Sequence, residues 1–203
     1  MGTRFHQLAF TPAVARMQER SGSRAMYAQS ETADSRGDRL GPDEIGFIAD
    51  RDSFYLATVS ETGWPYLQHR GGPMGFLKVL DAHTIAFADF RGNLQYVSTG
   101  NLTANDRVAL LLMDYSRGLR LKMLGHAQLV EAADRPALIA SLRDPNYSAQ
   151  VERAVLIRVE AFEWNCPQHI TPRCTEQELA IVLEPLKARI RELEEQVRLA
   201  SAV

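Results

Sequence analysis

Short segments rich in β-branched and aromatic residues follow one another along most of the chain, bounded by turn-forming Gly, Asp or Asn. They lie at residues 54–60, 66–70, 75–80, 84–89, 107–114, 119–131 and 155–163. Two helical segments, at about 94–104 and 134–143, interrupt them. About six closely spaced strands with few long crossovers favour an antiparallel barrel over a doubly wound parallel sheet. The pattern therefore predicts a mostly β fold of the α+β class with flanking helices.

The last two predicted strands carry the most detailed pattern. Gly125 lies in the middle of segment 119–131, where a glycine suits a bulge or the corner of a barrel. In segment 155–163, Arg158 and Glu160 alternate with apolar residues at 155, 157, 159 and 161. The alternation predicts that these four apolar side chains share one face of the strand.

Residues 1–41 are predicted to form an N-terminal helical arm and a linker. Thr11-Pro12 is typical of a helix start, and apolar residues are mixed with charged ones until Gly22. The stretch 30–42 is polar, rich in helix-breaking residues and aperiodic, which indicates a linker or a mobile loop. The folded body is therefore expected to span residues 42–173.

Residues 174–203 are predicted to form a C-terminal amphipathic helix. Apolar side chains recur at alternating steps of four and three residues, at Leu179, Leu183, Leu186, Ile190, Leu193 and Val197. This heptad spacing is typical of a helix that packs along one apolar seam. The seam fits either packing on the barrel or a contact between subunits, and Pro185 is expected to kink it.

The composition indicates a packed soluble domain. Hydrophobic residues make up 45% of the 203 residues, and the formal net charge of −2 provides no global positive field for a nucleic-acid backbone. The two cysteines, Cys166 and Cys174, are too few for a disulfide framework. No apolar run approaches the roughly 20 residues needed to cross a bilayer, and the first 20 residues lack the apolar core of a secretion signal. We therefore expect a cytoplasmic protein without nucleic-acid or membrane partners.

The sequence His69-Arg70-Gly71-Gly72-Pro73 ends a predicted strand and is the first candidate binding site. Its glycines allow the backbone to approach a ligand closely, and the Arg70 guanidinium offers a planar set of donors suited to phosphate. The alternative interpretation is a tight β-turn that carries a surface arginine.

A second candidate lies 20 residues further along, at residues 89–95, where a strand ends in a loop containing Gly92 and a helix begins. Free backbone N–H groups and the helix dipole favour a phosphate at such a position. Asn93 can also be interpreted as a simple helix cap. A barrel fold can bring the two half-sites together around one anion.

Two further clusters carry weaker signals. Arg120 and Lys122 alternate onto one face of a predicted strand, where they can meet a ligand or only water. Cys166, His169 and Cys174 lack the paired spacing of a structural zinc site, so no metal is expected.

Five stretches, in this order, resemble the pyridoxamine 5′-phosphate oxidase-like flavoproteins. They are HRGGPMGFLKVLD (69–81), TIAFADFRGNLQYVSTGNL (84–102), DRVALLLMDY (106–115), LRLKMLGHA (119–127) and WNCPQHITPR (164–173). The similarity covers about residues 42–173. Within the superfamily, HRGGP and NCPQHI are typical of a branch of FMN-binding split-barrel proteins.

The resemblance implies a six-stranded antiparallel split β-barrel that forms a homodimer and holds FMN in two clefts at the subunit interface. By position, the residues implied at the cofactor are Arg70, Gly71, Lys78, Asp89, Gly92, Asn93, Gln95, Arg120 and Trp164. Arg70 resembles the family arginine that grips the FMN phosphate, Arg120 matches a position near the flavin pyrimidine, and Trp164 resembles a stretch that reaches the cofactor of the other subunit. Leu94 stands where many relatives have an arginine, so one phosphate cation is missing.

The expected function is that of an FMN-dependent oxidoreductase with an unassigned substrate. The spacing between Arg70 and Lys78 is longer than in the vitamin-processing oxidases, so a vitamin B6 substrate is not implied. No side chain is assigned as an obligatory acid or base. The alternative is a non-enzymatic module that binds flavin, haem or a deazaflavin for sensing or storage. Turnover with a reduced nicotinamide donor separates the two.

Overall fold

The computed structural model describes residues 3–32, 38–165 and 168–201. Its helices are α1 (Thr3–Ala9), α2 (Pro12–Arg20), α3 (Arg24–Thr32), α4 (Pro42–Ala49), α5 (Val97–Ala104), α6 (Pro136–Leu142) and α7 (Glu176–Ala200). Its strands are β1 (Ser53–Val59), β2 (Pro65–Gly71), β3 (Lys78–Asp81), β4 (Thr84–Phe90), β5 (Arg107–Asp114), β6 (Leu119–Glu131) and β7 (Val151–Asn165). The chain forms two compact units: the sheet with α1–α6, and α7 with residues 115–118 and the segment that precedes α7. Among the described helices, none is long and apolar enough to cross a membrane.

The seven described strands pair in one antiparallel sheet, in the order β2-β1-β5-β6-β7-β4-β3. The sheet does not close, because β2 and β3 each have a single neighbour within the described residues. This arrangement confirms the mostly β, antiparallel fold with flanking helices that the sequence predicts. It has seven strands, one more than the family resemblance implies, and the short β3 pairs with β4 alone.

One face of the sheet carries the main hydrophobic core. Every second residue of β1 and β5 is buried, as expected for strands with one face turned to the interior. The largest fully buried members of this core are Phe54, Phe87, Ile48, Leu56, Leu77, Ile85, Leu112, Leu121, Met123 and Ile157. Burying a side chain of this kind stabilises the fold by roughly 1.5–3 kcal/mol. The same alternation decides which polar side chains near the strand ends point inward.

The opposite face of β4 and β7 packs against α6. Ala86, Ala88 and Ala154 are buried there together with Ile139 and Leu142 of α6. Because alanine side chains are small, the helix can approach the sheet closely. The five central residues of β4 are consequently all buried, and the strand that carries Asp89 is held from both faces.

The pairing of β6 with β7 contains a bulge next to Gly125, which confirms the irregularity predicted there. The register skips Glu160, so this residue is the extra one in β7. An extra residue reverses the alternation of faces beyond it. Phe162, and not Ala161, therefore joins the main core. The prediction that residues 155–161 share one apolar face is wrong from Ala161 onward.

Several element boundaries differ from the sequence prediction, and β7 begins at Val151 and not at residue 155. α3 continues to Thr32, into the stretch predicted as a linker, and residues 33–37 of that stretch lie outside the described part. β3 begins at Lys78 and not at residue 75, because Gly75 adopts a left-handed turn (φ 73°). α5 begins at Val97, later than predicted, because the loop before it continues to residue 96.

α1 packs on the face of β7 opposite the main core. Phe5 and His6 are both buried, and the Lys122 ammonium lies 4.7 Å from the centre of the Phe5 ring. Lys122 Nζ and His6 Nε2 lie 2.7 and 2.6 Å from the Glu163 carboxylate. Burial by itself raises the pKa of Glu163, but hydrogen bonds from Lys122 and His6 together hold that pKa below its usual value. α1 lies within the N-terminal helical arm predicted for residues 1–41, but its bounds were not predicted, because seven residues are too few to show helical periodicity.

Replacing Gly125 with alanine should lower the free energy of unfolding by about 1–3 kcal/mol. A Cβ at Gly125 would lie 2.5 Å from the carbonyl oxygen of Arg158 and 2.9 Å from Ile157 Cγ2, so the β7 backbone would have to move. Urea unfolding measures the difference. Gly100→Ala is the matched control, because a Cβ there meets nothing within 4 Å. Alanine is the better helix former, so this control should keep or slightly gain stability. Equal stability of both variants would contradict the close packing at the bulge.

Candidate functional site

An ion pair links β2 and β4, which are not neighbours in the sheet. Arg70 Nη1 donates to Asp89 Oδ1 at 2.7 Å, and the two side chains are only 18% and 7% exposed. Arg70 lies opposite Phe54 in the β1–β2 register, on the inward face, and the position of Asp89 in β4 has the same parity as buried Ile85 and Phe87. Both charged groups therefore point inward, where the two strands face each other.

A second arginine approaches the same carboxylate from β7. Arg153 lies directly opposite Asp89 in the register of β4 and β7, and its Nη1 lies 3.5 Å from Asp89 Oδ2. The same nitrogen donates to Thr99 Oγ1 at 3.2 Å, and the guanidinium lies 5.4 Å from the centre of the Tyr96 ring. Sequence reasoning missed Arg153. The available signal was its spacing from Val155 and Ile157, which places a charged residue on the apolar face of the strand.

Asp89 has an unusual environment for a carboxylate. Burial raises its pKa above the usual 3.8, and the attraction of Arg70 and Arg153 opposes this shift without reversing it. A buried carboxylate whose pKa is shifted in a cleft is typical of functional sites, although structural ion pairs also produce such shifts.

The loop between β4 and α5 forms one wall of the cleft. Leu94 and Tyr96 both adopt left-handed backbone conformations, with φ of 63° and 53°. Such conformations are uncommon for residues other than glycine and cluster at functional sites. Asn93 does not cap α5: its Oδ1 accepts the backbone N–H of Gln95 at 3.2 Å, which shapes the loop itself. The Tyr96 hydroxyl donates to Glu152 at 3.0 Å, and this hydrogen bond raises the pKa of Tyr96.

The first turn of α5 faces the cleft, and a buried hydrogen bond fixes the helix in place. Asn101 Nδ2 donates to Thr58 Oγ1 of β1 at 2.9 Å. Ser98, in the first turn, is only 2% exposed, and its Oγ has no hydrogen-bond partner among the described residues. Arg70 Nε is likewise buried and without a partner in this part of the chain. Buried polar atoms are normally hydrogen-bonded, so Ser98 Oγ and Arg70 Nε are two donors in the lining of the cleft whose hydrogen bonds the described residues do not satisfy.

Two adjoining clefts, of about 180 and 240 Å³, share a common set of lining residues. The shared residues are Gln68, Arg70, Asp89, Phe90 and Gly92. The smaller cleft extends to Asn93, Leu94 and the start of α5. The larger extends to His69 and Gly71 on one side and to Tyr147 on the other. The two half-sites seen in the sequence thus meet in space.

The nine residues implied at the cofactor fall into two groups in the structure. Arg70, Gly71, Asp89, Gly92 and Asn93 line the two clefts. Gln95 lies in the same loop, with an exposed side chain. Their roles at a cofactor stay predictions.

Lys78, Arg120 and Trp164 lie elsewhere. Lys78 starts β3 with an exposed side chain. Arg120 shares a face of β6 with Lys122. The Lys122 ammonium forms an ion pair with Glu163 and lies over the ring of Phe5 in α1. Trp164 Nε1 donates to Glu44 at 2.7 Å. The single chain does not bring these three residues to the two clefts.

No group of three or more His, Cys, Asp or Glu side chains that could hold a metal ion occurs within residues 3–32, 38–165 and 168–201. The candidate cluster of Cys166, His169 and Cys174 is only partly covered, because Cys166 lies outside these residues. Cys174 is a free, exposed thiol.

Residues 45–165 match the family described as Pyridoxamine 5′-phosphate oxidase. Two crystal structures of HupZ from Group A Streptococcus superpose with TM-scores of 0.51, at 14% and 13% identity, over 66% and 62% of this chain and 100% and 99% of those chains. A putative pyridoxamine 5′-phosphate oxidase from Lactobacillus delbrueckii is 20% identical over 63% of this chain and 96% of that chain, with a TM-score of 0.49. At these identities the HupZ structures indicate the fold alone. No curated protein matches the sequence significantly.

The stability contributed by Asp89 should depend on pH in a defined direction. A carboxyl group with a raised pKa in the folded state binds its proton more tightly there than in the unfolded chain. The stability of the wild type relative to Asp89→Asn should therefore fall as the pH rises from about 4 through the raised pKa. Urea unfolding of both proteins over a pH series measures this difference.

Asp81→Asn is the control for this experiment. The backbone N–H of His83 donates to Asp81 and lowers the pKa of that exposed carboxyl, so the difference between the wild type and this variant should have the opposite slope at low pH. If the relative stability at Asp89 instead rose with pH, the attraction of the two arginines would outweigh burial, and the pKa of Asp89 would be lowered and not raised.

Proposed function

Since the chain belongs to the pyridoxamine 5′-phosphate oxidase family, we propose that it is a flavoprotein that binds FMN and acts as an oxidoreductase on a substrate not yet assigned. The observation that carries the proposal is a pair of buried donors, Arg70 Nε and Ser98 Oγ, which have no hydrogen-bond partner among the described residues and whose residues line a cleft at the start of α5. Arg70 and Ser98 can both donate hydrogen bonds to an anion. The family resemblance implies that the FMN phosphate lies in this region.

The phosphate end of the cofactor is proposed to lie between Arg70 and the first turn of α5. The free N–H groups and the dipole of a helix N-terminus favour an anion there. The Ser98 hydroxyl adds a hydrogen bond from a buried position, and the absence of a side chain at Gly92 leaves the loop backbone accessible. Leu94 provides no positive charge, so Arg70 supplies most of the electrostatic attraction.

The Arg70–Asp89 pair tunes this attraction. Asp89 accepts a hydrogen bond from Nη1 of Arg70, so the guanidinium is oriented before binding. Orienting a donor in advance lowers the entropy lost on binding. Arg153 also pairs with the Asp89 carboxylate and neutralises part of its negative charge. Asp89 therefore cancels less of the positive charge of Arg70.

A second subunit is proposed to complete the site. Members of this family commonly form dimers, and two-fold dimers are the most common closed assembly of soluble proteins. We propose a homodimer in which the isoalloxazine ring lies at the interface. The roles of Lys78, Arg120 and Trp164 at that ring stay predictions.

FMN, when bound, supplies hydride exchange at its ring, and the protein supplies binding, orientation and electrostatics. In this chain Arg70 and Ser98 bind the phosphate end, and Asp89 positions Arg70. Phe90 and Tyr147, whose rings lie 5.1 Å apart, line the larger cleft. No side chain is proposed as an obligatory acid or base.

Arg70→Met should weaken FMN binding about tenfold or more. A charge-assisted hydrogen bond to phosphate contributes roughly 1.5–3 kcal/mol, and methionine keeps much of the arginine bulk. Quenching of flavin fluorescence on titration measures the Kd. Arg158→Met is the matched control, because Arg158 is 67% exposed and lies outside both clefts. An unchanged Kd in Arg70→Met would remove the phosphate from this position.

The purified protein should be a homodimer with one FMN bound per chain. Light scattering combined with absorption at the flavin bands measures both quantities. A monomer of 22.7 kDa at micromolar concentration with flavin still bound would contradict the shared site. Oxidation of a reduced nicotinamide by the loaded protein then separates an oxidoreductase from a module that only carries flavin, haem or a deazaflavin.

A further inference from the structure

α7 exposes an apolar seam along its length. The helix has 25 residues and is about 37 Å long at 1.5 Å per residue. Its seam residues are largely exposed, at 49% for Leu179, 55% for Leu186 and Ile190, 43% for Leu193 and 64% for Val197. Leu183, the sixth member, is half-buried. An apolar stripe of this length on one helix marks a surface that packs against another helix.

The residue types in the seam specify the kind of partner. In heptad positions, Leu183, Ile190 and Val197 occupy a, and Leu179, Leu186 and Leu193 occupy d. β-branched residues at a combined with leucine at d favour a parallel, two-stranded coiled coil over higher assemblies. Two of the three a positions are β-branched, and all three d positions are leucine. The seam is therefore suited to a second copy of the same helix.

The charges beside the seam agree with a parallel, in-register pair. Arg189 occupies a g position, and Glu194 occupies the following e position. In a parallel pair the g residue of one helix faces the next e residue of the other, so Arg189 meets Glu194 of the other copy, twice by symmetry. The arrangement is thus self-complementary.

Pro185 does not oppose this pairing. It occupies a c position, which faces away from the seam, and α7 runs through it as one helix. The start of α7 is fixed by a capping box, in which the Thr175 side chain accepts the N–H of Glu178 while Glu178 accepts the N–H of Thr175.

We propose that α7 pairs with α7 of a second copy of this chain as a parallel, two-stranded coiled coil in register. The surface consists of the six seam residues with Arg189 and Glu194 beside them. This inference is independent of the flavin site, because it uses only residues of α7.

A thiol introduced at a seam position tests the orientation. In full-length protein carrying Cys166→Ser and Cys174→Ser, Val197→Cys places one thiol at an a position of each helix. In a parallel, in-register pair the two thiols meet, so mild oxidation should give mainly disulfide-linked dimer on a non-reducing gel. Glu195→Cys in the same background is the control, because an f position faces solvent and should cross-link at least about tenfold more slowly. An antiparallel pair, or a helix packed on its own chain, leaves the Val197→Cys thiols apart, and equal or absent cross-linking of the two variants would overturn the proposal.

A charge exchange tests the register. In the Val197→Cys background, Arg189→Glu and Glu194→Arg each place like charges opposite one another and should slow cross-linking several-fold. The double variant should restore the rate. Arg189 also pairs with Glu192 within the same helix, and the double variant does not restore that contact. Recovery therefore has to come from the contact between helices, and its absence would contradict the in-register pairing. Neither result depends on whether FMN binds.

Discussion

The cleft depends on one buried carboxylate that two arginines share. Asp89 is held in place because β4 is packed on both faces, and it receives Arg70 from β2 and Arg153 from β7. Leaving one of these charges without its partner would be costly in a buried position, which is why the three side chains stay together. The contact between Arg70 and Asp89 also links β2 to β4, two strands that do not pair with each other in the described sheet. Arg70 and Ser98 line one cleft as a result.

Much of the strand pattern could be predicted because strands such as β1 and β5 bury every second residue, and period-two alternation is a local signal. The bulge at Gly125 could be anticipated for the same reason, since a glycine inside a strand pattern is visible in sequence. The effect of the bulge on the faces of β7 could not be predicted. Which strand carries the extra residue is decided by the pairing of β6 with β7, so the change of face at Ala161 appears only in the register. Arg153 was missed because its role depends on a partner on another strand.

The candidate site shows a similar division. The two half-sites around Arg70 and Gly92 were visible as sequence motifs, and the fold brings them together in one pair of clefts. The cation face of β6 was visible as well, but its neighbours were not. The Lys122 ammonium contacts the ring of Phe5, which belongs to a helix too short to be recognised from its sequence, and forms an ion pair with Glu163. Sequence patterns identify which side chains share a face, whereas packing decides what that face meets.

The packing of α1 on β7 also affects which truncated forms of this protein can be expected to fold well. A fragment that starts at Pro42 would keep every described strand and both clefts, and would look complete by sequence alone. It would nevertheless uncover the outer face of β7 and leave Glu163 with Lys122 as its remaining ionic partner among the described contacts. Losing Phe5 and His6 would expose apolar surface on β7. This strand forms the longest pairing of the sheet, with β6. A truncated protein is therefore more prone to aggregate, and a tag placed directly before Thr3 sits beside a structural contact and not on a free end.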